Sequence, residues 1–250
     1  MIADQGLAAA TAIALTFMLA GFVKGIVGMG LPTVAMSLLA VFFPPAQAAA
    51  ILVIPSLVTN VWQLLAGPQF ITVAKRFGTM MAAVVVGTFF SIGIITGDSV
   101  AATNAVLGAV LAIYGLMGLF TVRLNVLPGW EPWLSPIVGL MTGVLSGATG
   151  VFAVPAVLYF SALKLERDDL IQTLGLSFTV STIALGAALG ARGVFRMDVA
   201  LASLLALIPT VIGMAAGQWL RQQLQPEVFR RWFLASLVAL GIYMLVRAAF

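Results

Sequence analysis

A single lysine, Lys24, lies between the glycines of an otherwise apolar stretch, Gly21-Phe-Val-Lys-Gly25-Ile-Val-Gly28-Met-Gly30-Leu-Pro32. A lysine centred in a membrane helix costs about 2.5–3.5 kcal/mol on insertion scales, so a lone one needs a reason. Two reasons are open: snorkelling to headgroups from near the end of its segment, or attraction of an anion. Further on, Ser56, Asn60 and Gln63 fall at i, i+4, i+7, and Thr173, Ser177 and Ser181 at i, i+4, i+8. Both stripes are neutral and polar on apolar segments. They either hydrogen-bond neighbouring helices or wall a polar cavity.

The glycine pattern occurs twice. Gly139-Leu-Met-Thr-Gly143-Val-Leu-Ser-Gly147-Ala-Thr-Gly150, followed by Pro155, matches the stretch around Lys24. Gly21, Gly25 and Gly28 share one helix face without side chains, which suits close helix packing. The other reading breaks the helix at Gly28–Pro32 and again at Gly147–Pro155. Broken helices at membrane depth are tolerated only where they line a cavity or bind ligand, and half-helix N-termini suit an anion. On that reading Gly28, Gly30, Ser146, Thr149 and Gly150 contribute backbone and hydroxyl donors. Ser56, Asn60, Gln63, Ser177 and Ser181 form side walls, and Lys24 supplies the attraction. Gly21, Gly25, Pro32, Gly143, Gly147 and Pro155 shape the breaks and their packing.

The absences exclude several chemistries. With no His and no Cys there is no Ser-His or Cys-His pair, no thiolate metal site and no disulfide. Gly143–Gly147 (GVLSG) holds a serine in a protease-like setting, but no histidine exists to serve as base. No G-x-x-x-x-G-K-[ST] occurs, so no ATP-hydrolysing engine is present. No catalytic residue, metal or cofactor is expected, and the chain does not read as an enzyme. The net charge of +4 fits loop cations of a membrane protein better than nucleic-acid binding.

The elements that must position these residues follow from composition. The chain is 62% hydrophobic and 8% charged over 250 residues, against roughly 45–50% and roughly 25% in soluble domains. Lipid must be the solvent for most of its surface. At roughly 20 apolar residues per span the chain holds about eight to ten spans. The fold class is therefore all-α, a polytopic helix bundle. Met1–Gly6 carries Asp4 and no Lys or Arg, and the apolar run after it is too long for a cleavable signal.

The apolar runs are Leu7–Gly28, Leu31–Phe43, Ala46–Ala66, Phe70–Thr96 and Val100–Thr121, then Trp133–Thr149, Val151–Leu163, Leu170–Leu189, Val199–Leu220 and Val228–Ala248. This predicts one transmembrane repeat over 1–122, a linker over 123–132 and a second repeat over 133–250. Leu31–Phe43 and Val151–Leu163 are short and typical of half-helices. If all ten runs cross, one face collects Lys75, Arg76, Arg123, Lys164, Arg167, Arg221, Arg230 and Arg231, and the other Arg192, Arg196 and Arg247 with Asp4 and Asp98. That is the positive-inside bias, and it makes the repeats inverted. A rival map of eight spans with re-entrant short segments leaves the central and C-terminal loops on the same sides, so charge counting does not separate the two. Trp62 and Phe178 are either cavity walls or lipid-facing, and Glu166-Arg-Asp-Asp169 reads as a solvated helix start.

At these residues the chain resembles the TauE/SafE sulfite exporters, also called toluene-sulfonate uptake permeases. The resemblance rests on G-F-x-x-G-x-x-G-x-G in the first half and G-x-x-x-G-x-x-x-G-x-x-G-x-x-x-x-P in the second. It covers essentially the whole chain. It implies a bacterial inner-membrane secondary transporter of sulfite, sulfonates or related small organic anions. Many members carry G-x-G-G-G where this chain has Gly28-Met-Gly30-Leu-Pro32. The expected function is a permease or exporter of small organosulfur oxyanions; the rivals are a passive anion channel and a non-transporting scaffold subunit. The expected partners are the anion and the lipid bilayer, with no nucleic acid; a homodimer is left open.

Overall fold

The computed structural model describes residues 2–120, 125–127, 129–223 and 226–249, and side chains within those ranges except at 2–5, 226, 227 and 249. Arg123 lies outside the described residues, as do the side chains of Asp4 and Glu227 and part of the expected linker. The described residues form eleven helices: α1 (Ile2–Val27), α2 (Leu31–Phe42), α3 (Pro45–Leu65), α4 (Phe70–Arg76), α5 (Gly78–Ile95), α6 (Val100–Leu119), α7 (Glu131–Thr149), α8 (Ala156–Ala162), α9 (Arg167–Ala191), α10 (Met197–Arg221) and α11 (Pro226–Ala249). Seven are long and apolar enough to cross a bilayer. Large apolar side chains such as Phe90, Ile208 and Ile212 face outward, where water would penalise them and lipid does not. The chain is a multi-pass membrane protein.

Two elements differ from expectation. The run Phe70–Thr96 divides into α4 and α5 at Phe77. Phe77 turns inward, edge-on to the Phe160 ring at 5.1 Å, while Arg76 makes a two-pronged ion pair with Glu131 at 2.6 and 2.7 Å. Opposite anchors on consecutive residues bend the chain. The expected half-helix Val151–Leu163 is helical only over Ala156–Ala162. Pro155 has no N–H and disfavours helical geometry at Val154, so Val151–Val154 is buried but non-helical. Pro32 falls in the first turn of α2, where proline is tolerated, and α2 keeps its length.

Helix pairing follows a pattern. The most extensive contacts join α5 to α7, α1 to α10, α6 to α11 and α3 to α9, and α3 also packs on α10 as α5 does on α9. Exchanging the first five segments with the last five turns α1·α10 into α7·α5 and α3·α10 into α9·α5. The pairs α3·α9 and α6·α11 map onto themselves. Glycines make these contacts close. A Cβ on Gly143 would stand on the backbone of Val84 and Thr88, and one on Gly213 on that of Met18 and Phe22.

These contacts also give the helix directions. Gly21 lies against Thr210 and Met214, and Gly25 against Met214 and Gln218, so α1 and α10 run parallel. Gly139, Gly143 and Gly147 meet Met80, Val84 and Thr88 in turn, so α7 and α5 are parallel. By contrast, Gly175 meets Leu64 and Gly186 meets Val53, while Gly108 meets Gly241 and Gly115 meets Leu234, so α3·α9 and α6·α11 are antiparallel. With eight spans both latter pairs would be parallel. The observed directions require α2 and α8 to carry the chain across, as in the ten-segment map.

Lys75, Arg76, Lys164, Arg167, Arg221, Arg230 and Arg231 accordingly collect at one face. Trp62, Trp130, Trp133, Trp219 and Trp232 sit at helix ends on that face, each more than 60% exposed. That is an interfacial aromatic belt beside the cation-rich side, which the positive-inside rule assigns to the cytoplasm. The chain lacks cysteine, so single introductions test this directly. Lys75→Cys and Lys164→Cys should react with an impermeant maleimide only from the cytoplasmic face, and Asp98→Cys only from the opposite one. Reaction of 75 and 98 from the same side would overturn the topology.

Candidate anion-binding site

Lys24 is 5% exposed and does not reach outward. Its Nζ donates to Thr59 Oγ1 at 3.1 Å and to Asn60 Oδ1. The Thr59 hydroxyl donates to the Pro55 carbonyl at 2.8 Å, leaving its lone pair for the ammonium. Asn60 Nδ2 donates to Thr182 Oγ1 at 3.3 Å, and Thr182 donates to the Phe178 carbonyl at 2.6 Å. Every proton in this chain is thereby directed away from Lys24, and the chain crosses from α3 to α9. An ammonium has three N–H donors. Among the described residues two meet neutral oxygens and none meets a carboxylate.

Beside the ammonium is a cavity of about 360 Å³ whose lining includes Lys24, Thr59, Gln63, Gln218, Arg167 and Arg221. Gln63 Nε2 donates to the Ile171 carbonyl at 3.0 Å, and its Oε1 is buried without a partner. Gln218 and Arg167 are exposed, and Arg221 closes α10, so the cavity's rim lies on the cation-rich face. Among the described residues no acidic side chain lines it. The lining offers three positive groups and several neutral donors to whatever enters.

The other expected site residues divide into groups. Gly28 lines the cavity, with φ +82°, and Gly30 caps α2 at φ +101°, conformations that glycine adopts freely. The ring of Phe233 lies 3.1 Å from where a Gly30 Cβ would stand, so apolar matter faces Gly30. Ser56, Ser146, Ser177 and Ser181 are fully buried, and their hydroxyls have no partner among the described residues. None of the four lines this cavity. Thr149 donates to the Leu145 carbonyl at 2.6 Å and accepts from Val151 N at 3.2 Å, which occupies it with its own helix end. Gly150 caps α7 with φ +71° beside Met36. Gly21, Gly25, Gly143 and Gly147 are packing glycines against neighbouring backbone.

The breaks are not side by side at mid-depth. Gly25 is level with Gln218, one turn from the end of α10, whereas Gly147 is level with Thr88 and Ser91 near the far end of α5. Opposed helix directions put the two breaks near opposite faces. With α8 reduced to one short piece and α2 starting against Phe233, the anion-binding features come from side chains on α1, α3, α9 and α10 rather than from half-helix ends.

Thr59, Thr182, Arg167, Gln218 and Arg221 escape the sequence reading. Thr59 had a signal in its adjacency to Asn60. The arginines looked like solvated loop charges, and only the closeness of α9 and α10 turns them towards Lys24. Phe178 is 2% exposed and packs on Phe152, while Trp62 is 72% exposed at the cavity mouth.

No curated protein and no solved structure matches the chain. The family described as Sulfite exporter TauE/SafE does, over residues 13–244, a range that takes in both glycine motifs, Lys24 and its hydrogen-bonded partners on α3 and α9, so the chain belongs to the TauE/SafE sulfite exporter family.

Proposed function

We propose that this protein is a secondary transporter of small organosulfur oxyanions, sulfite or sulfonates, in the bacterial inner membrane. One observation carries the reading. Among the described residues Lys24 is a buried cation held by neutral oxygens, beside a cavity whose rim adds Arg167 and Arg221 and no acid. Such a charge is expensive in the interior of a membrane protein unless something negative shares it. The cavity's size is at the small end of ligand sites, about 300–1,000 Å³. The rim arginines raise the local anion concentration, and the third Lys24 N–H is free to meet the incoming oxyanion.

The pairing of helices supports two inverted repeats, residues 1–122 and 133–250 about the linker 123–132. Thr142 holds the place of Lys24 in the second motif, and its hydroxyl donates to the Val138 carbonyl. An anion passing from the first half's cavity to the second half's end therefore leaves charge for neutral hydroxyls, which favours release. The partnerless hydroxyls of Ser56, Ser146, Ser177 and Ser181 supply polar groups for that onward path.

Purified protein screened against sulfite, thiosulfate, sulfoacetate and taurine, with acetate and succinate as controls, tests the substrate class. At a hundred times Kd a true ligand raises Tm by about 5–10 °C. A shift with sulfur oxyanions and little with carboxylates supports the reading. Equal shifts, or none, would overturn it.

A further inference from the structure

A second cavity, of about 560 Å³, lies on the same cation-rich face. It occupies the inner end of the α6·α11 seam and is closed off by α8 and the last turn of α1. Val27, Met29 and Leu170 line both cavities, so the Gly28–Gly30 break is the wall between them. Two cations line this one, Lys164 from the α8–α9 turn and Arg230 from the start of α11, with Ser161, Asn125 and Tyr114 as hydrogen-bonding groups. Among the described residues no acidic side chain lines it. The remaining surface is apolar, with Met29, Met117, Val157 and Phe233 among it. Cations above an apolar floor match a ligand with an anionic head and an apolar body.

A cavity in the corresponding place exists at the other end of the same seam. It has about 340 Å³ and is lined by the end of α2, the start of α6 and the end of α11. The exchange of halves that relates α2 to α8 and α6 to α11 carries one cavity onto the other. Each contains one tyrosine, Tyr114 or Tyr243. Their charges differ as well as their volumes, for among the described residues the outer cavity has the cation Arg247 with neutral Asn104 where the inner one has two cations. Of the two related cavities, the one with the stronger anion chemistry lies on the cation-rich side, where basic pockets between membrane helices meet anionic headgroups.

We propose that the inner cavity is a second, separate anion site, which takes an oxyanion (a phosphate or sulfonate) carried on an apolar tail. Lys164 and Arg230 bind the oxyanion, Ser161 and Asn125 add hydrogen bonds, and the tail lies along Met29 and Phe233. Nothing in this assignment depends on Lys24 or on the transport reading. An occupant rests on Met29, so it restrains the break that also bounds the Lys24 cavity.

The full-length protein in phosphatidylcholine nanodiscs provides the test, in two arms. One adds phosphatidylglycerol and counts retained anionic lipid by native mass spectrometry. The other titrates soluble hexyl phosphate and follows Tm. Losing charged hydrogen bonds to one ligand weakens binding by about tenfold or more. The double variant Lys164→Gln/Arg230→Gln should therefore lose that binding, and the charge-keeping Lys164→Arg/Arg230→Lys should restore it. Lys24→Gln should leave it unchanged. Loss confined to the first arm identifies a lipid headgroup, and loss in the second a free amphipathic anion. Binding undiminished in the double variant, no binding in either arm, or binding that vanishes with Lys24→Gln would overturn the second site.

Discussion

Lys24→Gln should weaken anion uptake into proteoliposomes by about ten- to a hundredfold, the worth of a hydrogen bond to a charged group, and Lys24→Glu should abolish it. Glutamine keeps a neutral polar group of similar bulk beside Thr59 and Asn60, so the fold survives while the charge goes. Glutamate would place a negative group against Asn60 Oδ1 and inside the Arg167–Arg221 rim, where it would pair with the arginines and repel substrate. The same variant examines energy coupling. Among the described side chains the acids are Asp98, Glu131, Glu166, Asp168, Asp169 and Asp198, all at helix ends or turns and none buried. No histidine exists. Proton-driven carriers usually hold the proton on a buried ionisable group, and among the described residues Lys24 is the one buried Lys, Arg, Asp or Glu. Uptake under an imposed pH gradient should lose its gradient dependence in Lys24→Gln. Gradient-driven flux at wild-type rates in that variant would remove Lys24 from both roles.

Gly143→Leu should prevent accumulation of folded protein, whereas Gly28→Ala should fold. The added Cβ at Gly143 meets the Val84 carbonyl and lies 2.9 Å from Thr88 N. Backbone cannot move aside as a side chain does, and small residues are what allow membrane helices this close. Overpacking alone costs about 1–3 kcal/mol, occasionally more, and separating α5 from α7 opens the largest contact between the halves. At Gly28 a Cβ meets nothing within 4 Å, and the cost is that of a left-handed non-glycine residue, about 1–2 kcal/mol. Monodispersity on gel filtration after detergent extraction separates the cases. A well-behaved Gly143→Leu would show that α5 and α7 need not approach as described.

Much of this was legible in the sequence because membrane helices announce themselves by length and apolarity. The segment boundaries fall within a few residues of the helices, and the doubled glycine motif marks α1 and α7. The split at Phe77 was not legible, since it depends on Glu131 and Phe160, partners far along the chain. The shortening of α8 was partly legible, because Pro155 stands inside its run. The glycines carried an ambiguity that sequence alone does not resolve. Spacing at i, i+4, i+7 suits both a packed face and a break, and here Gly21 and Gly25 pack while Gly28 and Gly30 turn the chain. The stripe on α3 pointed to Asn60, but its link to Lys24 needed the helices to be placed side by side. The serines on α9 were found by the same spacing, yet they lie away from the cavity that holds Lys24.

The pairing of α1 with α10 and of α5 with α7 bears on how the protein is made. The glycine face of α1 emerges from the ribosome first, yet the backbone it fits against is complete only when nearly the whole chain has been synthesised. Until then that face has lipid or the insertion machinery as its neighbour. Nascent chains halted before α10 should remain protease-sensitive and bound to the insertase. Two half-length polypeptides expressed together should rescue one another, since each carries the surfaces that the other lacks.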